Sequence, residues 1–468
     1  MVSPDRWQAI YQEALAVIPE KIGAVRGVAL AFHTVVDGLH RARPQELAHL
    51  LATDPTWQEA AARGLEHAPG ELRSPADLFA AIAWSVSRST ALERVITDET
   101  TFHWLMEHFP VDQPTVGGNS GNMALALADL GLPRVLVFTP PLHPQLAQLL
   151  AQAPQILVLA PEGPVPISEA PTPAREGALH WIFEYPKGMA LPLPGRTLTT
   201  TRANRFIAAW NPGNHRLGEG TQWLRAFAPY AREFSHLILS GFQLLSETYP
   251  DGSRFDTWAG PLLEGLATVR AEAPGLLIHY EWASMASPQI RTYLLQHLLP
   301  QVQSLGLNEA ELGLMAHDLG HPDWPARPGP RWMLETLHLL HQRTGLQRIQ
   351  LHMPGLYLTS TTRPERALLE RLALAYTALA AAARSARGRA TPAALADHLA
   401  TPLASTGLEL LQALSELPGV TGSLDGPGLQ WQGLTLVGMP TRWVDRPLWT
   451  VGLGDLISAI PFTLWTPA

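Results

Sequence analysis

The 468-residue sequence contains no cysteine. This absence excludes disulfide bonds, thiolate catalysis, iron–sulfur clusters and zinc sites built from cysteine. The sequence also lacks a long block of Lys or Arg, and its formal net charge of -8 argues against non-specific binding to nucleic acid or to a membrane surface. It has no apolar run of membrane-spanning length, and its N-terminus lacks the form of a signal peptide. These absences favour a cytoplasmic protein that acts on small molecules.

What is present is enough apolar sequence, 46% of residues, to bury a large core. Short apolar strands alternate with helical segments, most clearly after residue 235. This alternation predicts an α/β fold with a doubly wound, mostly parallel sheet sandwiched by helices. The first strand, residues 25–32, belongs to that sheet, and Asp37 is predicted to lie just past its carboxyl end, where open α/β sheets gather ligands.

A second, smaller α+β domain is predicted to be inserted into the first. Residues 41–108 carry a mixed, helical pattern that no parallel-strand run interrupts, and strands 180–185 and 205–210 suit an antiparallel hairpin. We therefore assign residues 1–40, 111–178 and 212–468 to a large domain and residues 41–110 and 179–211 to a small one. Two further stretches are predicted to be irregular: a proline-rich loop at 161–173 and a basic, solvated turn at 384–389.

Two glycine-rich stretches precede helical segments. Near the C-terminus, Gly452-Leu453-Gly454-Asp455 offers backbone N–H groups that can hold phosphate charge, beside a carboxylate that can take a proton from a hydroxyl. An isolated motif of this kind is more often a strand-to-helix turn capped by its aspartate. The second stretch, GGNSGN at 117–122, permits close backbone approach to a ligand and supplies amide donors and acceptors.

Two residue pairs, each with one carboxylate, lie at strand ends of the predicted sheet. His279 and Glu281 alternate along a strand and so point to one face, while Asn308 and Glu311 lie at neighbouring positions where a helix begins. Each pair alone is more often structural. Together they provide the oxygen ligands that suit Mg²⁺, which is held by one or two carboxylates and by phosphate.

A competing metal site is weaker. His317 and His321, with Asp323, have a spacing that could bind zinc if the segment were helical. Gly320 and Pro322 make a helix across this spacing improbable, so a solvated pair of loop histidines is the favoured interpretation.

Seven stretches, taken together and in this order, resemble the ADP-dependent glucokinase and phosphofructokinase family, sugar kinases of the ribokinase superfamily. Any one of them would be a weak signal. They are Asp37, Gly117–Asn122, Asn204–Ile207, Ser240–Gln243, His279–Ser284, Gly306–Leu312 and Thr450–Ser458.

The resemblance implies roles for the C-terminal motifs. Asp455 would be the general base, and the amides around Gly452 and Gly454 would hold the transferring phosphoryl group. The metal neighbourhood, with Mg²⁺ or a similar divalent cation, would comprise Glu281, Asn308 and Glu311.

The resemblance also implies where the two substrates bind. The small domain would be a lid over the sugar, and the large domain would bind the nucleotide, ADP. Nucleotide contacts would come from His352, Leu453 and Gly454, and sugar contacts from Asp37, Glu93, Gly118, Asn119 and Arg205.

The sequence departs from the family pattern at the sugar site. Val35 and His33 stand where asparagines are usual, which puts the identity of the sugar in question. The favoured function is an ADP-dependent sugar kinase acting on a hexose, with glucose slightly preferred, as a monomer without nucleic-acid or membrane partners. The alternatives are an ADP-dependent 6-phosphofructokinase, an ATP-dependent sugar kinase of the same superfamily, and a non-catalytic protein that binds sugar or nucleotide.

Overall fold

The computed structural model describes residues 2–111, 113–174, 177–212, 216–249, 251–283, 285, 287–321 and 329–466. Ser284 and Asp323, which belong to motifs considered above, lie outside the described residues. The strands are β1 Val28–Ala31, β2 Val35–Arg41, β3 Leu92–Val95, β4 Pro114–Gly117, β5 Val135–Val137, β6 Ile156–Ala160, β7 Gly163–Pro166, β8 Leu179–Tyr185, β9 Ala190–Leu193, β10 Arg196–Thr199, β11 Asn204–Trp210, β12 His236–Leu239, β13 Leu277–Glu281, β14 Ser304–Asn308, β15 Arg348–Met353, β16 Leu356–Thr361, β17 Thr421–Ser423, β18 Gly428–Trp431 and β19 Leu434–Pro440.

The helices surround the sheets. They are α1 Pro4–Gly23, α2 Pro44–Thr53, α3 Pro55–Gly64, α4 Pro75–Arg88, α5 Glu99–His108, α6 Asn119–Asp129, α7 Pro144–Leu150, α8 Gly218–Phe227, α9 Phe255–Glu272, α10 Pro288–His297, α11 Glu309–Asp318, α12 Pro330–Thr344, α13 Ala367–Arg387, α14 Pro392–Leu395, α15 Ser405–Ser415 and α16 Leu453–Thr463. None of the helices within the described residues is both long and apolar enough to cross a membrane.

The larger sheet has twelve strands in the order β17-β18-β19-β16-β15-β14-β13-β12-β1-β5-β6-β7. The seven strands from β15 to β6 are parallel, and their short runs are almost wholly buried because helices cover both faces. The predicted α/β fold is confirmed. The prediction of a loop at 161–173 is wrong in part, because β7 pairs antiparallel with β6 there.

The carboxyl ends of the parallel strands lie along one edge of this sheet. Glu281 ends β13, Asn308 ends β14, and His352 lies near the end of β15, directly opposite Asn308. Residues that are far apart in sequence are thereby brought to the edge at which open α/β sheets bind ligands.

The smaller sheet has five strands in the order β3-β11-β8-β2-β4. The predicted antiparallel pairing of residues 180–185 with 205–210 is confirmed by β8 and β11. The expectation that no parallel-strand run interrupts residues 41–108 is wrong, because β3 pairs parallel with β11. The four residues of β3 are too few for their alternation to stand out beside helical neighbours. The sheet also takes in β2, which crosses the boundary predicted at residue 40, and β4, which lies wholly within the segment 111–178 assigned to the large domain. The division into domains stays a prediction.

The two faces of the smaller sheet differ in chemistry. One face carries Trp181, Phe183 and Phe206, and Phe102 of α5 packs on it with its ring centre 5.7 Å from that of Trp181. Side chains of paired residues point to the same face. The register therefore puts the polar residues of β2, β8, β11 and β3 on the opposite face: Asp37, His180, Arg205 and Glu93.

Candidate active site

The predicted glycine turn leads directly into α16. Gly452 has φ 72°, in the left-handed region, and a Cβ there would lie 2.6 Å from Cγ of Asn122, so only glycine fits. Leu453 begins the helix, and the N–H groups of its first turn have no partner within the helix. The turn thus combines a positive helix end with the buried carboxylate of Asp455.

Two asparagine amides of α6 hold the Asp455 carboxylate. Nδ2 of Asn119 donates to its Oδ1 at 2.7 Å, and Nδ2 of Asn122 donates to its Oδ2 at 3.2 Å. Burial raises the pKa of Asp455 to about 6, although both amides and Arg384 favour the charged form. The result is a fixed carboxylate that is ionised near neutral pH and can accept a proton.

The second glycine stretch positions those amides. Gly118 has φ 74°, and a Cβ there would lie 2.5 Å from the carbonyl oxygen of His33. That carbonyl accepts the N–H of Ser120, so the start of α6 is held against the connection between the two sheets. The start of α6 therefore places Gly118 and Asn119, both predicted site residues, beside Asp455.

Asp37 lies near Asp455 but not where the sequence predicted. It is a residue of β2 in the smaller sheet, not a loop residue after β1, because the chain leaves the first sheet after Ala31 and pairs again from Val35. A Cβ on Gly117 would lie 2.0 Å from Cγ of Asp37, so a glycine is required beneath the carboxylate. Burial raises the pKa of Asp37 to about 7; Glu93 and Asp455 raise it further and Arg205 lowers it.

Glu93 and Arg205 belong to the same group of charges. The surface of Glu93 is exposed to solvent, but many protein atoms surround its carboxylate. This burial raises the pKa of Glu93, and the charges of His33, Arg205 and Arg94 lower it. Of the predicted sugar residues, Asp37, Glu93 and Arg205 thus lie on one face of the smaller sheet, and Asp455 is close enough to act on the pKa of Asp37.

His33, Gln243 and His180 complete this region and had no assigned role in the sequence analysis. Nε2 of Gln243 donates to Oδ1 of Asn119 at 2.8 Å, and Nδ1 of His33 lies 3.2 Å from the same oxygen. Nδ1 of His180 lies 3.8 Å from Oδ1 of Asp37, and its Nε2 is hydrogen-bonded to Oδ1 of Asn211 at 3.0 Å. Alternation along β8 opposite Asp37 would have identified His180, had the strand pairing been known.

The three predicted metal residues lie at the ends of β13 and β14. A Cβ on Gly306 would lie 2.0 Å from Oε2 of Glu281, so the Glu281 carboxylate lies directly against the backbone of β14. Asn308 and Glu311 form a capping box at α11: Oδ1 of Asn308 accepts two backbone N–H groups, and Oε2 of Glu311 accepts the N–H of Asn308. Asn308 therefore orients Glu311 rather than offering a free oxygen.

The residues at the ends of β13 and β14 offer few oxygen ligands for Mg²⁺. No group of three or more His, Asp or Glu residues able to hold a metal occurs among the described residues, including around His317 and His321. Burial raises the pKa of Glu281 and of Glu311. The charges of Glu311 and Asp455 raise the pKa of Glu281 further, and those of Glu309 and Asp455 raise that of Glu311. Two carboxylates in mutual repulsion fit an ion held by one or two carboxylates, with water and phosphate as the other ligands.

A cavity of about 640 Å³ lies along α16, where Leu453, Gly454 and Ile457 line it. His352, Leu453 and Gly454, the predicted nucleotide residues, line it together with Asn308 and aromatic residues such as Tyr357 and Trp443. Its volume is within the range of cofactor pockets. The Gly452–Asp455 turn therefore lies between this cavity and the polar face of the smaller sheet.

The chain matches known proteins along nearly its whole length. The conserved region described as ADP-specific phosphofructokinase/glucokinase matches residues 26–464. An ADP-dependent glucose/glucosamine kinase of Pyrococcus abyssi is 27% identical over 97% of this chain and 98% of its own, and an ADP-specific phosphofructokinase of Methanosarcina acetivorans is 27% identical over 98% and 96%. The solved structure of the last common ancestor of ADP-dependent phosphofructokinases from Methanosarcinales has the same fold, with a TM-score of 0.81 at 22% identity over both full chains. The chain belongs to the ADP-specific phosphofructokinase/glucokinase family, as its motifs predicted.

Proposed function

We propose that this protein transfers the β-phosphoryl group of ADP to a hydroxyl of a hexose, giving AMP and a sugar phosphate. The observation that carries the proposal is the position of Asp455. Its carboxylate is held by two amides at a helix start, with a nucleotide-sized cavity on one side and a polar sheet face on the other. The relatives named above are ADP-dependent, which favours ADP over the ATP-dependent alternative.

The proposed reaction uses the chain's own groups for proton removal and for charge. The Asp455 carboxylate takes the hydroxyl proton as the sugar oxygen bonds to the β-phosphorus, and the bond from that phosphorus to the oxygen of the α-phosphate breaks, so that AMP leaves with the electron pair. The N–H groups at the start of α16 stabilise the transferring group. Closure of the smaller sheet over the sugar would exclude water.

Glu281 and Glu311 would hold Mg²⁺, directly or through water, and Asn308 would fix the orientation of Glu311. The ion, when bound, supplies positive charge that offsets the charge of the ADP phosphates. His352, Leu453 and Gly454 would line the nucleotide site.

The charges of the smaller sheet favour a non-phosphorylated hexose such as glucose. Asp37 and Glu93 face the site, and Arg205 lowers the pKa of both. Arg94 also acts on Glu93, but its guanidinium donates to the backbone carbonyls of Pro69 and Glu93. Lys187 is exposed, and the side chain of Arg202 donates to the carbonyl of Ser89 instead. A sugar phosphate would place a second anion beside Glu93, at an electrostatic cost.

The proposal is tested by incubating the protein with ADP, Mg²⁺ and glucose, glucosamine or fructose 6-phosphate while AMP is measured. We expect AMP with at least one sugar and with ADP but not ATP as donor. Absence of AMP above the level of Asp455→Ala with every sugar would refute the kinase proposal. Calorimetric binding of sugar or ADP without turnover would instead identify the non-catalytic alternative.

A Glu93→Gln variant tests the choice of sugar. Losing the charge of an acceptor weakens the hydrogen bond that a glucose hydroxyl donates to it, which should raise the KM for glucose about tenfold or more. Losing the repulsion between Glu93 and the phosphate of fructose 6-phosphate should increase the rate with that sugar relative to glucose. Steady-state kinetics with both sugars measure the ratio. Glu71→Gln, at a residue whose side chain pairs with Arg73, is the matched control and should leave the ratio unchanged.

A further inference from the structure

Arg384 lies at the end of α13, in the stretch predicted to be a solvated turn. That prediction is wrong in part, because α13 continues to Arg387 and Arg384 is half-buried, whereas the chain leaves the helix only at Gly388. Its Nη2 donates to Oδ1 of Asn122 at 3.3 Å. Arg384 lines a cavity of about 300 Å³ that also includes Asp37 and Asn122, whereas Ala381 and Ser385 line the nucleotide cavity. The guanidinium is thus on the side of Asp455 away from the nucleotide.

The contact fixes which way the Asn122 amide points. An arginine can only donate hydrogen bonds, so it requires the amide oxygen of Asn122 on its side. The Nδ2 group of Asn122 must then point to Oδ2 of Asp455, as it does at 3.2 Å. A reversed amide would turn an oxygen toward the carboxylate and repel it.

The charge of Arg384 acts in the same direction. Arg384 lowers the pKa of Asp455 against the larger effect of burial. The other charged groups near Asp455 are carboxylates on three further elements, Asp37 of β2, Glu281 of β13 and Glu311 of α11, each of which interacts with it electrostatically. Among the described residues that act on the pKa of Asp455, Arg384 is the cation, and its charge favours the ionised carboxylate.

We propose that Arg384 is a positioning residue for phosphoryl transfer, acting through Asn122 to hold the Asp455 carboxylate in its reactive orientation and to keep it ionised. This inference rests on the proposed function. It assigns Arg384 no contact with sugar or nucleotide, so its effect belongs to kcat and to pH dependence rather than to KM.

The test is the pH profile of kcat for Arg384→Met, with saturating ADP and sugar. In the native protein the acid limb should lie near the pKa of Asp455, about 6. The general base must be deprotonated, so activity is lost as pH falls through this value. Removing the cation raises the pKa of Asp455 and should move the acid limb to higher pH, while kcat at neutral pH falls about tenfold or more and both KM values stay unchanged.

Two variants separate a positioning role from a structural one. Arg384→Lys keeps the charge and should keep the acid limb near its native position. Arg387→Met removes an exposed arginine one turn further along the same helix, paired with Asp397 at 2.8 Å, and should leave kcat and the pH profile unchanged. An unmoved acid limb in Arg384→Met, or an equal shift in Arg387→Met, would overturn the proposal. A native protein that makes no AMP would refute the kinase function itself, which is a different result.

Discussion

Asp455→Ala should lower kcat by about two to four orders of magnitude, the usual contribution of a positioned general base. The carboxylate accepts hydrogen bonds from Asn119 and Asn122 and starts in the reactive orientation, so alanine removes the proton acceptor without displacing a backbone element. KM for ADP should change little, because the nucleotide cavity is lined by other residues. Initial rates of AMP formation measure both values.

Asp425→Ala is the control for this substitution. Asp425 is a partly exposed aspartate that pairs with Arg6 at 3.7 Å, and its loss should leave kcat unchanged. If Asp455→Ala retained more than about a tenth of native kcat, Asp455 could not be the general base, since base catalysis supplies a larger factor than this.

Gly117→Ala should raise the KM for the sugar by about 10- to 100-fold. The added Cβ would lie 2.0 Å from Cγ of Asp37, so the carboxylate must leave its position on the smaller sheet. A hydrogen bond to a charged group contributes about 1.5–3 kcal/mol, which corresponds to this change in affinity. KM for ADP should stay near its native value, because Gly117 does not line the nucleotide cavity.

The matched control is Gly260→Ala in α9, where an added Cβ meets nothing within 4 Å. This helical substitution should preserve both KM values. A Gly117→Ala protein with a native sugar KM would mean that Asp37 does not bind the sugar. Thermal unfolding of both variants identifies any loss of folded protein and allows KM to be compared on the folded fraction.

The sequence was sufficient for features that depend on local pattern. The glycine turn before α16, the Asn308–Glu311 pair and the alternation of His279 with Glu281 all follow from short motifs whose geometry is local. The parallel sheet follows from repeated strand and helix periods, which survive changes at single residues.

The positions of Asp37 and Arg384 could not be read from local pattern. Asp37 follows an apolar strand, yet β2 pairs with β8, more than a hundred residues away in sequence, and that pairing decides which sheet it joins. Arg384 lies in a run of basic residues typical of a solvated turn, and only the packing of both α13 and α6 against α16 brings it to Asn122. Contacts between distant segments determine both.

Asn308 shows a different kind of limit. Its residue type and spacing fit a metal ligand and a helix cap equally well. In the structure, the amide oxygen of Asn308 accepts hydrogen bonds from the backbone N–H groups of Ala310 and Glu311. Such a choice depends on hydrogen-bond geometry, which residue spacing does not contain.

The separation of the two sheets has a consequence for how such an enzyme can diversify. Asp37, His180, Glu93 and Arg205 lie on strands of the five-stranded sheet, whereas the N-terminal turn of α16 and the nucleotide cavity belong to the twelve-stranded sheet and its helices. Under the roles proposed above, substitutions on β3 or β11 would alter which acceptor is recognised while the groups proposed for phosphoryl transfer stay unchanged. This division of labour provides a physical route by which one ancestral scaffold can give rise to kinases for different sugars.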